Sequence, residues 1–385
     1  MMPRVRSCRF NQEPLWRTRR TWCIRTLVRG RPECGFRELR ESKTDLLGIL
    51  RLSEFRDLLR SQIPISHDRQ KNRDAPETWV AMSYDVIVVG GSFAGLSAAL
   101  QLARARKRVL VFDSGKPRNR FAQFSHGFFG HDGQPVSAML ANARSQLLSY
   151  GTVSFAEGLA THAAKSGEEY TVTAADGTVH TGSRLILATG VSDDLSTMPG
   201  LQERWGVSML HCFYCHGYEV AGRRLGVLAT SDRSFQTAML LPDWSEHVTL
   251  FTNGVLTLSP EQLVELRTRG VSVEAAPVVT LLGDAPALSG LRLDDGRITP
   301  VDAVFISPRT RMASPLAEQL GCEFEEGPSG PFIRTGADKQ TTVRGVYAAG
   351  DAARPGHNAS WAAADGVTAG ISAHQSLALA QPVCR

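Results

Sequence analysis

The stretch HCFYCHGYEV, residues 211–220, sets two cysteines three positions apart and places a histidine beside each. Thiols at this spacing can form a redox disulfide, supply half of a zinc site, or serve as small core residues. The spacing alone does not decide among these. Zinc takes four ligands in a tetrahedral shell, usually from two separated pairs. The other cysteines of residues 82–385, Cys322 and Cys384, stand alone. His211, Cys212, Cys215 and His216 are too tightly strung to close around one ion without strain, so no metal centre is expected. The remaining choice rests on the elements that hold the pair.

Those elements are distinct from residue 84 onward. YDVIVV (84–89) is a short apolar, β-branched run, the pattern of a buried parallel strand. GGSFAG (90–95) follows, then LSAALQLARAR at helical period. A second strand, RVLVFD (108–113), ends in an acid 23 residues after Gly90. Strand, glycine turn, helix, strand and acid in this order bind a dinucleotide. Gly90 permits the tight turn, and Gly95 lets the helix pack on the strand. Ser92 replaces the middle glycine with a small side chain, and Asp113 can accept bonds from a ribose. A pyrophosphate would lie against the helix N-terminus, where free N–H groups and the dipole favour negative charge. Two more strands, RLILATG (184–190) and GVYAAGDAA (345–353), end in Ala-Thr-Gly and Gly350-Asp351. The second leads into a small-residue helix, ASWAAADGVTAG.

In this order, with Cys-x-x-Cys between them, the motifs resemble the FAD-dependent pyridine nucleotide-disulfide oxidoreductases, specifically the low-molecular-weight thioredoxin reductases and their relatives. The resemblance runs from Ser83 to near the C-terminus. It implies that Gly90, Ser92, Gly95 and Asp113 hold the ADP half of FAD. Thr189 and Gly190 would lie near the cofactor where the chain crosses to a second domain, and Asp351, after Gly350, would bond the ribityl chain. Asn358 and Ala359 fall about where the family contacts the flavin pyrimidine edge, with the following helix favouring charge on the reduced ring. FAQFSHGFFGHDG (121–133) would pass near the isoalloxazine, with His126 either a neighbour of the ring or a hydrogen-bonded loop histidine.

The resemblance also implies that Cys212 and Cys215 form a redox disulfide that opens a helix, whose dipole would lower the thiol pKa. Cys215 would face the flavin and Cys212 would exchange with substrate. Thioredoxin reductases carry Asp directly after the second cysteine, whereas this chain has His216 followed by Gly-Tyr-Glu. That string looks closer to reductase-like flavoproteins that oxidise small-molecule dithiols. His216 is expected to act as general acid/base.

The second dinucleotide site departs further. In RRLGVLATSDRSFQTAML (223–240) the expected G-x-G-x-x-A reads Ala229-Thr230-Ser231-Asp232-Arg233-Ser234. Both turn positions gain a Cβ, and Asp232 brings negative charge to the pyrophosphate position, with Arg233 beside it. After the next strand, HVTLF (247–251), stand Thr252 and Asn253. Neither an acid for ribose hydroxyls nor an arginine pair for a 2′-phosphate is present there. Use of NAD(P)H is left open.

Charge and hydropathy narrow the class. No apolar run reaches the roughly 18 residues of a membrane-spanning helix, so a soluble protein with no membrane partner is expected. Residues 1–81 hold 18 basic and 10 acidic side chains, while 82–385 hold 25 and 28, a net of −3. The folded part therefore offers no basic face for nucleic acid. The Arg-rich extension 1–81, including the amphipathic stretch 45–60, is expected to be disordered or absent from a mature protein starting at Met82.

The expected fold is α/β, with two doubly wound Rossmann-like dinucleotide-binding domains, the second inserted into the first. Residues 82–197 and 305–385 form the FAD domain. Residues 198–304 form an NAD(P)H-type domain carrying the cysteine pair, closed by a hairpin or meander over 272–304. A homodimer is implied by resemblance, and the unpaired cysteines suggest a reducing, cytoplasmic setting. Three functions fit. The first is a reductase passing electrons from NAD(P)H through FAD and Cys212–Cys215 to a thioredoxin-like protein or small disulfide. The second is an oxygen-dependent oxidase of a small-molecule dithiol, and the third a flavin-binding sensor or scaffold without turnover.

Overall fold

A computed structural model describes residues 83–195 and 197–380. The extension 1–81, the start at Met82 and Cys384 lie outside the described residues.

The opening strand Ser83–Val89 shows why a sheet forms here. Its side chains alternate between two apolar clusters, Val86 and Val88 on one face, Ile87 and Val89 on the other, all nearly or fully buried. A strand buried on both faces must lie inside a sheet. It pairs in parallel with Val109–Asp113 on one side and Val179–Leu187 on the other. Val153–Glu157 adds a parallel edge beyond Val109–Asp113. The strand Val179–Leu187 forks the sheet: its first half pairs antiparallel with Glu169–Ala174, and its last residues pair in parallel with Val346–Ala348. The carboxyl ends of the parallel strands thus converge on one edge, where ligands of such sheets bind.

One face of this sheet is covered by the helices Phe93–Arg104 and Ala359–Ala380 and by Leu147 of Val136–Leu148. The first two cross with little between them. A Cβ on Gly366 would stand 2.0 Å from the Ala94 carbonyl oxygen, and one on Gly370 2.6 Å from that of Ala98. The glycines four residues apart let the two backbones touch. The other face is covered by the antiparallel strands Ala160–Ser166 and Glu169–Ala174 together with Leu316, Ala317 and Ile333.

A second parallel sheet is built from residues inserted between these parts. Its strand order is Met209–Leu210, Ala303–Phe305, Leu225–Leu228, Val248–Phe251 and Val271–Glu274. The helices Arg233–Leu240 and Pro260–Thr268 pack one face through Ala238 and Leu266. The other meets a three-stranded antiparallel meander, Val278–Leu282, Gly290–Leu293 and Ile298–Thr299, within the region expected to be a hairpin or meander. Two α/β units, the second inserted into the first, are therefore present. Among the described residues no helix is long and apolar enough to cross a membrane.

Candidate active site

A cleft of about 870 Å³ opens at the carboxyl ends of the first sheet. The glycine turn forms one wall, and its geometry explains the residue types. Gly90 has φ +116° and its missing Cβ would lie 2.1 Å from the Ala188 carbonyl oxygen. A Cβ on Gly95 would lie 1.7 Å from the Gly90 carbonyl oxygen. Gly91 is crowded by a side chain rather than by backbone, since a Cβ there would meet the Asp113 carboxyl carbon at 2.4 Å. The helix Phe93–Arg104 begins at Ser92 with no side-chain cap and no acid in its first turn. Its first N–H groups are thus free of side-chain competition beside the cleft, as an anion site requires. Asp113 Oδ1 accepts from the Gly115 N–H at 2.8 Å, with Arg144 3.6 Å from Oδ2.

Gly90, Ser92, Asp113, Thr189 and Gly190 line this cleft together with Gly350, Asp351, Asn358 and Ala359. Gly95 is buried behind the turn and does not line it. Asn358 has a local role as well: its Oδ1 accepts from the Ser360 and Trp361 N–H groups at 2.8 and 3.4 Å, capping the helix Ala359–Ala380. The absent Cβ atoms, the uncapped helix start and the volume fit an elongated dinucleotide.

The cysteine pair meets the same cleft through Cys215. Cys212 and Cys215 are joined, with S–S 2.07 Å. Cys215 lines the cleft and Cys212 does not. The helix they open is a single turn, Phe213–His216, capped by Cys212, whose Sγ accepts from the Cys215 N–H at 3.1 Å. One turn carries little macrodipole, so that local N–H, more than the helix dipole invoked from the sequence, is the feature that can favour a thiolate here. Outside it lies an aromatic group, Phe213, Tyr214 and Trp244, with Tyr214 and Tyr218 largely exposed.

His216 also lines the cleft and is half-buried. Burial lowers its pKa, partly opposed by Glu219 and reinforced by His126, so the ring is neutral at pH 7 and poised as a base. His126 lines the cleft from the loop after the first helix-strand unit, with Nε2 3.4 Å from Glu219 and Nδ1 3.7 Å from Asp132. It spans the two parts of the chain between a cleft and two carboxylates.

Sequence reasoning missed a polar wall of the cleft. Arg118 donates from Nε to Asp193 Oδ2 at 3.0 Å and from Nη1 to Asp351 Oδ2 at 2.9 Å. His211 and His357 line the same cleft. Burial and then the charge of Arg118 push His211 down to about 3, against the pull of Asp193. None of these pairings has a spacing signal, because Arg118 and Asp351 are 233 positions apart.

The second dinucleotide turn is closed on itself. The Thr230 N–H donates to Ser234 Oγ at 3.2 Å, and the Thr230 hydroxyl donates to the Ser307 carbonyl at 2.7 Å. Arg233 does not cover Asp232; it donates to Ser329 Oγ at 2.6 Å. Asn253 is a turn residue with φ +54°, and its Oδ1 accepts from the Val278 N–H at 2.9 Å. Among the described residues no cluster of three or more His, Cys, Asp or Glu could hold a metal.

Two α/β units, the second inserted into the first, with Cys215 of a disulfide on the wall of the cleft that holds the glycine turn, define a thiol–disulfide oxidoreductase of the two-nucleotide-domain class. The chain belongs to the pyridine nucleotide-disulphide oxidoreductase family, whose profile matches residues 84–368. It is 45% identical to a solved oxidoreductase from Agrobacterium tumefaciens, with TM-score 0.75, covering 78% of this chain and 100% of that one. It is 34% identical over 277 residues to thioredoxin reductase tcpT of Claviceps purpurea, covering 69% of this chain and 86% of that protein. Thioredoxin reductase sirT of Leptosphaeria maculans is 32% identical over 303 residues, 74% of this chain and 92% of its own length. The chain is accordingly an oxidoreductase of thioredoxin reductase-like type.

Proposed function

We propose that the protein is an FAD-dependent thiol–disulfide oxidoreductase in which Cys212–Cys215 exchanges electrons with a thioredoxin-like protein or small-molecule disulfide, with NAD(P)H as donor. The observation that carries this is the joined cysteine pair with Cys215, and not Cys212, on the wall of the cleft that also holds the glycine turn. FAD would supply a two-electron relay between nicotinamide and disulfide. Gly90, Ser92 and Asp113 would hold its ADP half, with Gly95 acting from behind by letting the helix pack on the turn, and Thr189, Gly190, Gly350, Asp351, Asn358 and Ala359 its flavin half.

In the reductive direction the Cys212 thiolate attacks a substrate disulfide, forming a mixed disulfide and releasing one substrate thiol. Cys215 then attacks Cys212 Sγ, restoring the intramolecular bond and releasing the second thiol. His216 holds and returns the proton that each sulfur exchanges. The exposed Tyr214 and Tyr218 frame the substrate's approach. Domain limits at 197/198 and just after the strand Ala303–Phe305, one residue beyond the expected 304/305, a homodimer and a reducing, cytoplasmic location go with this reading.

A second reading, an oxygen-dependent dithiol oxidase using the same cysteines without NAD(P)H, is favoured by the closed turn at Ala229–Ser234. Added Cβ atoms and one unfavourable charge cost about 1–3 kcal/mol, or roughly 5- to 150-fold in nucleotide affinity. Anaerobic stopped-flow mixing of the oxidised holoprotein with NADPH, NADH or a dithiol separates the readings. Rapid flavin bleaching by submillimolar nicotinamide supports the reductase. Bleaching by dithiol alone, with peroxide formed when air is admitted, replaces it with the oxidase. Bleaching by neither refutes both.

A further inference from the structure

Three parts of the chain, distant in sequence, meet on one guanidinium. Arg118 lies in the short turn Arg118–Phe121, Asp193 lies within the strand Val191–Asp194, and Asp351 follows the left-handed Gly350. Their side chains are 16%, 7% and 19% exposed, and all three line the cleft. The guanidinium grips Asp193 with Nε and Nη2, which fixes its plane, and leaves Nη1 for Asp351. Asp193 is thus the anchor and Asp351 the group held.

We propose that Arg118 is a positioning residue for the flavin cofactor, holding the Asp351 carboxylate charge-paired and oriented on the cleft wall. The inference rests on the FAD-binding reading above. The groups facing this cluster are His211 and His357, with His216 adjoining His211 and Arg233 adjoining His357. Burial pushes both of the nearer imidazoles down, and their pull on Asp193 ranks behind that of Arg118. Burial by itself would push the Asp193 carboxyl up; the hydrogen bond and charge of Arg118 outweigh it and hold that carboxyl below its usual range. Without Arg118, two carboxylates would share a water-poor wall, and like charge plus desolvation would raise the pKa of one of them.

The test uses apoprotein and flavin fluorescence quenching, with FAD affinity measured from pH 5 to 9 and apoprotein melting alongside. Wild type should bind with little pH dependence. Arg118→Met should bind about 10- to 100-fold more weakly at pH 8, the loss expected when a charged hydrogen bond is removed. Its deficit should shrink as pH falls through the raised carboxyl pKa. Arg118→Met with Asp193→Asn should recover most of the affinity and flatten the profile. Arg118→Lys, which keeps the charge and loses the bidentate grip, should lie between and show no pH dependence; it also serves if the Met variant does not fold. Wild-type affinity in Arg118→Met and Arg118→Lys would overturn the inference. So would a pH-independent loss that Asp193→Asn fails to rescue, the mark of a merely structural role. Wild type that takes up no FAD would instead overturn the proposed function itself.

Discussion

Gly95→Ala adds a single methyl group at the most crowded point of the glycine turn. Its Cβ would lie 1.7 Å from the Gly90 carbonyl oxygen and 3.2 Å from Val88 Cγ1, whereas real contacts stay above 3.0 Å. The helix Phe93–Arg104 would have to retreat by more than an ångström. It cannot do so freely, because Gly366 and Gly370 of Ala359–Ala380 already bring backbone against Ala94 and Ala98 from outside. Overpacking of this kind costs about 1–3 kcal/mol. The retreat also draws the uncapped N–H groups of the first turn away from the cleft. FAD affinity should therefore fall roughly 5- to 150-fold, more than any loss in apoprotein melting temperature would explain. Isothermal titration of apoprotein with FAD, beside thermal melting without it, measures both. The Cys212–Cys215 bond should survive, as thiol counting would show. A variant that binds FAD as wild type does would refute the assignment of this turn to the cofactor.

Other outcomes follow from the same geometry. Partial reduction should give a long-wavelength thiolate–flavin absorbance; replacing Cys215 with Ser should abolish it, whereas Cys212→Ser should preserve or strengthen it, and the opposite result reverses the two thiols. His216 has a folded pKa below its usual value because of burial, so its proton-accepting form persists above that lowered value and is lost as pH falls through it. Thiol–flavin electron transfer in wild type should hold from pH 9 down into the mildly acidic range, and His216→Ala should slow it across pH 6 to 9; unchanged stopped-flow rates would remove His216 from the proton path. Gly366→Ala should lower the melting temperature, since its Cβ would stand 2.0 Å from the Ala94 carbonyl oxygen, and an unchanged melting curve would contradict the helix crossing.

The parts of this molecule legible in its sequence are those where backbone geometry dictates residue type. Gly90, Gly95 and Gly350 stand where a side chain would collide with backbone or helix, and Asp113 ends a strand beside them, so the first nucleotide unit could be read directly. The substituted turn at Ala229–Ser234 was visible too, although its closure by Ser234, Ser307 and Ser329 was not. Hydroxyl pairings of that kind are set by the tertiary fold. The same holds for Arg118, whose partners come from two later segments, and for Gly91, whose constraint is the folded position of Asp113. The helix dipole expected at Cys212 failed to carry weight for a different reason. Residue pattern locates a helix start more readily than its length, and this one lasts one turn.

The central claim is that Cys212–Cys215 is a redox centre working with a flavin in this cleft. An anaerobic titration of the FAD-loaded protein with dithionite, followed to full bleaching, tests it most directly. A disulfide is a two-electron couple, as is the flavin. Wild type should therefore take up about twice the reducing equivalents of a variant carrying Cys212→Ser and Cys215→Ser, with two new thiols detected by alkylation at the end point. Equal uptake by the two proteins, with the Cys212–Cys215 bond still intact in wild type, would contradict the account.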